Sequence, residues 1–217
     1  VSTAPDPGAV EQPSGNTRNA PIDKRVFGVL PNYRTANSSD EYSPLPIKRK
    51  FYIGLKDSTD YPVYPLAGAF AALAQLTDQH AAFGQGMAGY ARRLGTAYGD
   101  QVIGNMMTES IMPTLFHQDP RYFRRGYGST WSRIGYAATR VFVAPDDHGR
   151  QRFNFSEVIG NATAAGIANA YYPGERTAFD NAQRFYTALA TDSFSQVLKE
   201  FWPDVKRWYK NRHKSGD

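Results

Sequence analysis

From Ile47 onward, apolar residues recur every three or four positions, which is the spacing of one helix face. Phe51, Ile53 and Leu55, flanked by Lys48, Arg49 and Lys50, predict a short amphipathic helix ending near Asp57. Pro62 and Pro65 precede an Ala-rich helix expected over Leu66 to Thr77. A long helix is expected from Met87 to Ile111, stopped by Pro113. Trp131 to Val143 predicts another, closed by the turn run from Pro145 to Gly149. Asn154, with Glu157 three positions later, has capping-box spacing and opens a helix that stops at Tyr172, Pro173 and Gly174. Helices over Phe179 to Ala190 and Phe194 to about Arg212 complete the set. Gly149 to Asn154 is the one candidate strand. The pattern therefore predicts an all-α fold, a compact bundle of about six to seven helices.

The first 46 residues read differently. They hold seven of the 14 prolines, with Ser, Asn, Asp and Gly between them, and predict an extended arm over 1–46 ahead of a helical domain over 47–217. Within the arm, the apolar island from Val26 to Leu30 suits a strap packed over the domain, or a docking strand for a partner.

Small residues recur at four-residue spacing in Gly68/Ala72, Ala91/Gly95/Gly99, Gly135/Thr139, Gly160/Ala164 and Ala162/Gly166/Ala170. Each helical Gly costs about 1 kcal/mol relative to Ala, so this density needs a reason. Backbones packed closely along Gly/Ala faces supply one, in a water-soluble bundle or in a partly membrane-embedded one.

Composition narrows the function classes. With no cysteine, disulfide scaffolds, thiolate zinc sites, iron–sulfur clusters and thiol nucleophiles are excluded. The mean hydropathy of -0.54 argues against a polytopic membrane protein. The longest apolar run, Pro62 to Leu76, is about 15 residues against the ~20 needed to span a bilayer. A net charge of +5 and a pI near 9.3 favour anionic neighbours. The basic residues are dispersed and form no nucleic-acid-reading module, so nucleic acid is not an expected partner. Val1 and the small polar residues after it suit a mature end left by signal-peptide removal.

Motifs with chemistry are few. Gly84, Gly86 and Gly89 match a dinucleotide fingerprint, but no strand precedes them, so no cofactor is expected. None of Ser58, Ser110, Ser156 and Ser195 sits in a nucleophile elbow. Glu109, His117 and Asp119 are the candidate acid–base group, set against a plain helix-terminating corner in which Asp119 caps and Arg121 bridges. No metal-ligand spacing occurs among the four His, so no metal is expected. Arg121, Arg124 and Arg125, interleaved with Tyr122, Phe123 and Tyr127, are candidates for holding phosphate or another anion.

The C-terminal helix carries Phe194, Val197, Leu198, Phe201, Trp202, Val205, Trp208 and Tyr209 on one side, with Lys199, Lys206, Arg207 and Lys210 beside them. Pro203 predicts a kink between Phe201 and Val205. Phe201, Trp202, Lys206, Arg207, Trp208 and Tyr209 are the candidate docking residues. Trp and Tyr beside Lys and Arg suit an interfacial helix on anionic lipid, and they suit equally a helix docked on the bundle with a basic outer face.

Several separate words then carry a resemblance: Leu30-Pro31-Asn32-Tyr33-Arg34-Thr35, His117-Gln118-Asp119-Pro120-Arg121-Tyr122, Phe153-Asn154-Phe155-Ser156-Glu157 with Gly160, Ala165 to Pro173, and Lys199-Glu200-Phe201-Trp202-Pro203-Asp204. Across residues 25 to 205 the chain resembles a family of bacterial exported proteins, some with a signal peptide and a small carboxypeptidase-regulatory-like domain ahead of this region. The resemblance implies a cell-envelope address, periplasmic and outer-membrane-associated, and an arm that is a remnant linker. It implies no activity and no catalytic residue.

The expectation is thus a non-enzymatic, membrane-associated envelope protein that docks on anionic lipid or on a membrane-protein complex, with self-association as a further partner class. The alternative is an envelope lipid or glycan hydrolase or transferase using Glu109, His117 and Asp119, with Arg121 and Arg124 orienting a phosphate.

Overall fold

The computed structural model describes residues 25–26, 30–38 and 40–214. Most of the expected arm, including the small polar start at Val1, lies outside the described residues. Part of the described arm is packed down, with Val26, Asn32, Arg34, Ala36 and Asn37 buried, whereas residues 40–46 are mostly exposed. Strands β1 (Arg25–Val26) and β2 (Leu30–Pro31) pair antiparallel, and β3 (Thr35–Asn37) pairs parallel with β4 (Tyr122–Arg124). That parallel ladder was not expected from the sequence. Its strands of three residues each are too short to show alternation, and they lie far apart in the chain.

The helical expectation holds. Helix α1 spans Ile47–Thr59 and α2 spans Val63–Leu76, with Pro65 tolerated in its first turn. Helix α3 (Gly86–Asn105) does not run as regular α-helix to Ile111. It widens into a π-helical turn over Met106–Ile111 and continues as the single turn α4, Met112–Leu115. Pro113 therefore does not stop the helix. It has no N–H to give to the turn before it, and the wider π turn absorbs that loss. Two glycines bring neighbours onto this turn. A Cβ at Gly54 of α1 would lie 2.3 Å from Ser110 Oγ, and one at Gly160 would lie 3.0 Å from Thr108 Cγ2.

Helix α5 spans Thr130–Thr139, its N-terminus capped by the Ser129 hydroxyl, which accepts from the Ser132 N–H at 3.3 Å. The expected strand near Gly149 is present as β6 (Gln151–Phe153), antiparallel to β5 (Val143–Pro145). The turn between them is organised by the Asp146 carboxylate, which accepts from the N–H groups of His148 and Arg150. Helix α6, Phe155–Ala168, opens with Asn154 Oδ1 accepting from the Glu157 N–H at 3.1 Å. The two C-terminal helices expected from sequence are one: α7 runs from Ala178 to Lys214, 37 residues, with Pro203 inside it.

The core is built largely of small residues. Ala67, Ala71, Ala137, Ala165 and Ala168 are buried, and Gly160 packs on the π turn. The small-residue faces are only partly packing faces, however. A Cβ at Gly95, Gly99, Gly135 or Gly166 would meet nothing within 4 Å, so those stripe positions touch no neighbouring helix.

Candidate functional site

Glu109, His117 and Asp119 are not brought together. Glu109 is buried on the π turn, where it faces Arg34. His117 adopts a left-handed backbone conformation (φ 51°), and its side chain is 84% exposed, 3.8 Å from Asp147. The Asp119 carboxylate is buried and chelated by the Arg121 guanidinium, Nε to Oδ1 at 3.0 Å and Nη2 to Oδ2 at 2.6 Å. Asp119 also accepts from the Arg121 backbone N–H at 2.9 Å, as a turn-capping carboxylate does. With Glu109 and Asp119 buried and each held by an arginine while His117 is exposed, the three do not form one acid–base group.

The three arginines do not form one anion site either. Arg121 is committed to Asp119 and to the Ser43 carbonyl at 2.6 Å. Arg124 is buried, with the Asn37 side chain among its partners. Arg125 donates to Ser132 Oγ at 3.0 Å and lies 4.8 Å over the Tyr127 ring. Adjacent arginines in a short strand point to opposite faces, so sequence adjacency does not make a common patch.

On α7 the expected orientation is turned. The residues that face inward are Gln196, Lys199, Glu200 and Pro203, whereas Phe194, Val205, Trp208 and Tyr209 are exposed. Phe201 is half-buried beneath the Arg133 guanidinium at 4.3 Å, and Trp202 is also half-buried. Lys206 is exposed, and Arg207 pairs with Asp204 at 2.7 Å. The expected docking residues therefore divide into an inner pair and an outer group.

The inward face of α7 serves two buried clusters. The first centres on Glu200, which accepts from Tyr122 Oη (2.6 Å), Arg133 Nε (2.9 Å) and the N–H groups of Gly126 (2.7 Å) and Arg125 (3.0 Å). Arg133 also donates to Asp204 at 2.6 Å. Burial, reinforced by the Glu200 charge, raises the Tyr122 phenol and keeps it the donor.

The second cluster lies between the arm, α1, the π turn, α6 and α7. Arg34 reaches Glu109 (Nε to Oε1, 3.3 Å), Asp192 (Nη2 to Oδ1, 3.7 Å) and Glu157 (Nη1 to Oε2, 3.9 Å). Asp57 and Lys199 are buried and act electrostatically on the same group. Four carboxyls thus share two cations. Glu109 Oε2, Glu157 Oε1 and Asp57 Oδ1 are buried without a hydrogen-bond partner. Burial, followed by the nearby Asp57 charge, pushes Glu109 up to about 8. Burial also raises Asp57 and Glu157, the latter aided by a hydrogen bond with Asp192. Burial and the Arg34 charge pull Lys199 down to about 8. Burial alone would lower Arg34, but the carboxylates around it outweigh that and raise it.

Asp192 connects this cluster to the outside. With Thr108 and Asn161 it borders a cleft of about 700 Å³ between α3, α6 and α7, and Asn161 Nδ2 donates to Asp192 Oδ2 at 3.1 Å. A second, much smaller cavity of about 20 Å³ lies against Arg34, Thr108, Glu157 and Gln196. Gln196 Oε1 and Glu157 Oε1, both without partners, belong to the residues around it. Among the described residues no group of three or more His, Asp or Glu side chains is placed to hold a metal ion.

No family model, curated protein or solved structure matches this chain. The site therefore rests on its own geometry. Sequence reasoning singled out Glu109 but missed Arg34, Asp57, Glu157, Asp192 and Lys199 as its partners. The available signal was that Asp192, Gln196, Lys199 and Pro203 share one helical face. Periodicity identifies such a face without saying that it turns inward.

Proposed function

We propose that this chain is a non-enzymatic accessory protein of the bacterial cell envelope, held on an anionic membrane surface by the outer face of α1 and α2. The observation that carries the reading is an inversion of polarity. Arg34, Lys50, Glu109, Lys199 and Glu200 are inside, while Phe51, Leu55, Tyr64, Phe70, Leu73 and Leu76 are exposed. Helix α2 contains no charged residue along its 14 positions. Exposed apolar residues that share one helix face, as Leu66, Phe70 and Leu73 do on α2, mark an interaction site, and each 100 Å² withdrawn from water is worth about 2.5 kcal/mol.

The chemistry of the surround favours lipid. Lys48 and Arg49 are exposed on α1 beside the apolar face, with Arg49 4.8 Å over the Tyr52 ring. Amphipathic, basic and aromatic is the combination that binds the headgroup boundary of an anionic bilayer. Among the described residues no helix is long and apolar enough to cross a membrane. Helix α2 would be about 21 Å long at the usual rise, against a hydrocarbon core of about 30 Å. The helices would therefore lie in the surface. The exported-family resemblance supports the envelope address. It points to a periplasmic protein at the outer membrane.

Flotation with protein-free vesicles tests this. The chain should float with vesicles containing anionic phosphatidylglycerol, less with purely zwitterionic ones, and F70E/L73E should stay at the bottom while keeping its helical circular dichroism. Flotation only with native membranes would move the assignment to a membrane-protein partner. A concentration-dependent dimer that ignores vesicles would assign the face to a second copy.

A further inference from the structure

We propose that Arg150 and Arg152, on the β5–β6 hairpin, form a binding site for a phosphomonoester group, with Asp146 holding the two guanidiniums together. This inference is independent of membrane docking, because a phosphate free in solution has the same chemistry as one at the end of a lipid.

The hairpin fixes the pair from the backbone outward. The Asp146 N–H donates to the Arg150 carbonyl at 2.9 Å, and the Arg150 N–H donates back to Asp146 Oδ1 at 3.0 Å. Gly149 closes the turn in a left-handed conformation (φ 81°), and a Cβ there would lie 3.0 Å from the Tyr42 ring. Tyr42 Oη in turn donates to the Asp146 carbonyl at 2.7 Å, so the arm braces the turn. Arg152 stands two residues further on, where β6 pairs with Ala144 of β5.

The two side chains meet on one atom. Arg150 Nε lies 3.1 Å from Asp146 Oδ2, and Arg152 Nε lies 2.9 Å from the same oxygen. Each guanidinium spends only its Nε–H on that contact. Among the described residues no protein group takes the terminal amino groups of either, and the two side chains are 65% and 55% exposed. A guanidinium has five N–H donors, so both keep most of theirs open. Two cations meet one carboxylate here, and the neighbouring Asp147 is matched by Lys50 Nζ at 2.7 Å. The pair therefore keeps a net positive charge.

Geometry then selects the anion. One guanidinium fork satisfies both oxygens of a carboxylate. Two forks arriving side by side suit a ligand with three acceptor oxygens and more than one negative charge, which is what a phosphomonoester presents. Because Asp146 already orders both side chains, less rotamer freedom is lost when the ligand arrives.

Titration with inorganic phosphate at pH 7.5 and fixed ionic strength tests the proposal, read from the backbone N–H chemical shifts of Gly149 and Gln151. Phosphate should shift both saturably and bind at least tenfold more tightly than acetate. R150K/R152K keeps the charge and loses the forks, and it should weaken phosphate at least tenfold with little change in melting temperature. K48Q/R49Q, which removes as many exposed charges from α1 as that pair carries, should titrate like the unchanged protein. A second arm separates the sources: flotation with phosphatidylcholine vesicles containing phosphatidic acid or phosphatidylglycerol, matched for zeta potential. A preference for phosphatidic acid that R150K/R152K abolishes assigns the site to a lipid headgroup, whereas binding of inorganic phosphate without that preference assigns it to a soluble phosphomonoester. Flotation itself reports on docking, so the two readings fail separately. Absence of both responses, acetate binding as tightly as phosphate, or R150K/R152K behaving like the unchanged protein would each overturn the proposal.

Discussion

Glu200 and Glu109 are both carboxyls withdrawn from water, yet their surroundings are opposite. Four donors converge on Glu200 from β4, the turn after it and α5. Glu109 has one guanidinium, shared with other acids, and an oxygen with no partner. The fold can thus satisfy a buried carboxylate completely, and the deficit around Glu109 belongs to that region. Around Glu200 the molecule is finished from within. Around Glu109, near a cleft, it carries carboxyl oxygens without partners, and α1 beside it leaves apolar side chains exposed.

Removing Glu200 should show the largest effect. E200A leaves Arg133 Nε, the Tyr122 hydroxyl and the N–H groups of Arg125 and Gly126 without their acceptor, although Asp204 still holds Arg133 Nη2, and loss of one member of a buried pair costs about 3–5 kcal/mol. Urea unfolding should register most of that loss. A change within 0.5 kcal/mol would mean that the node is not structural.

A smaller effect is expected at the glycine beside the π turn. G54A places a methyl 2.3 Å from Ser110 Oγ, and overpacking of this kind costs about 1–3 kcal/mol. The double variant G54A/S110A should regain part of the loss. If it regains none, the backbone rather than the hydroxyl makes the contact.

The smallest change in stability belongs to Glu109, and its signature is pH dependence. Folded Glu109 keeps its proton up to about 8, and unfolded it releases it near 4.5. Between those values the unfolded chain binds fewer protons, so stability falls as pH rises from about 5 to 8. The raised Glu157 and Asp57 act in the same direction. Lys199 acts oppositely only above about 8, where the folded amine is already neutral while the unfolded one stays charged to about 10.5. E109Q should therefore flatten the fall in melting temperature between pH 5 and 8 and cost less than about 1 kcal/mol at pH 8. A slope identical to that of the unchanged protein would remove Glu109 from the account.

Much of the architecture was legible. Asn154 announced the start of α6, Pro145 to Gly149 announced a turn, and the helical periods located α1, α2 and α5, although α5 ends at Thr139 and Val143 belongs to β5 instead of to the helix expected to reach it. What was not legible follows from how local rules meet tertiary demand. Pro113 reads as a stop, but a π turn lets the chain continue past it. Glu157 reads as a surface cap, yet its carboxylate turns into the core toward Arg34. The apolar side of α7 reads as its inner side, and Lys199 and Glu200 take that place. The segments 30–35, 117–122, 153–157 and 199–204 supply Arg34, Asp119, Glu157, Lys199 and Glu200, all buried.

Site-directed spin labelling tests the central claim, that the apolar exterior of α1 and α2 faces lipid. The chain has no cysteine, so L73C and T187C each carry a single label, one on the outer face of α2 and one in the cleft. On addition of phosphatidylglycerol vesicles, the label at 73 should gain accessibility to oxygen and lose it to a water-soluble nickel chelate, with no such change at 187. A label at 73 that stays open to the nickel chelate at saturating lipid would contradict the account.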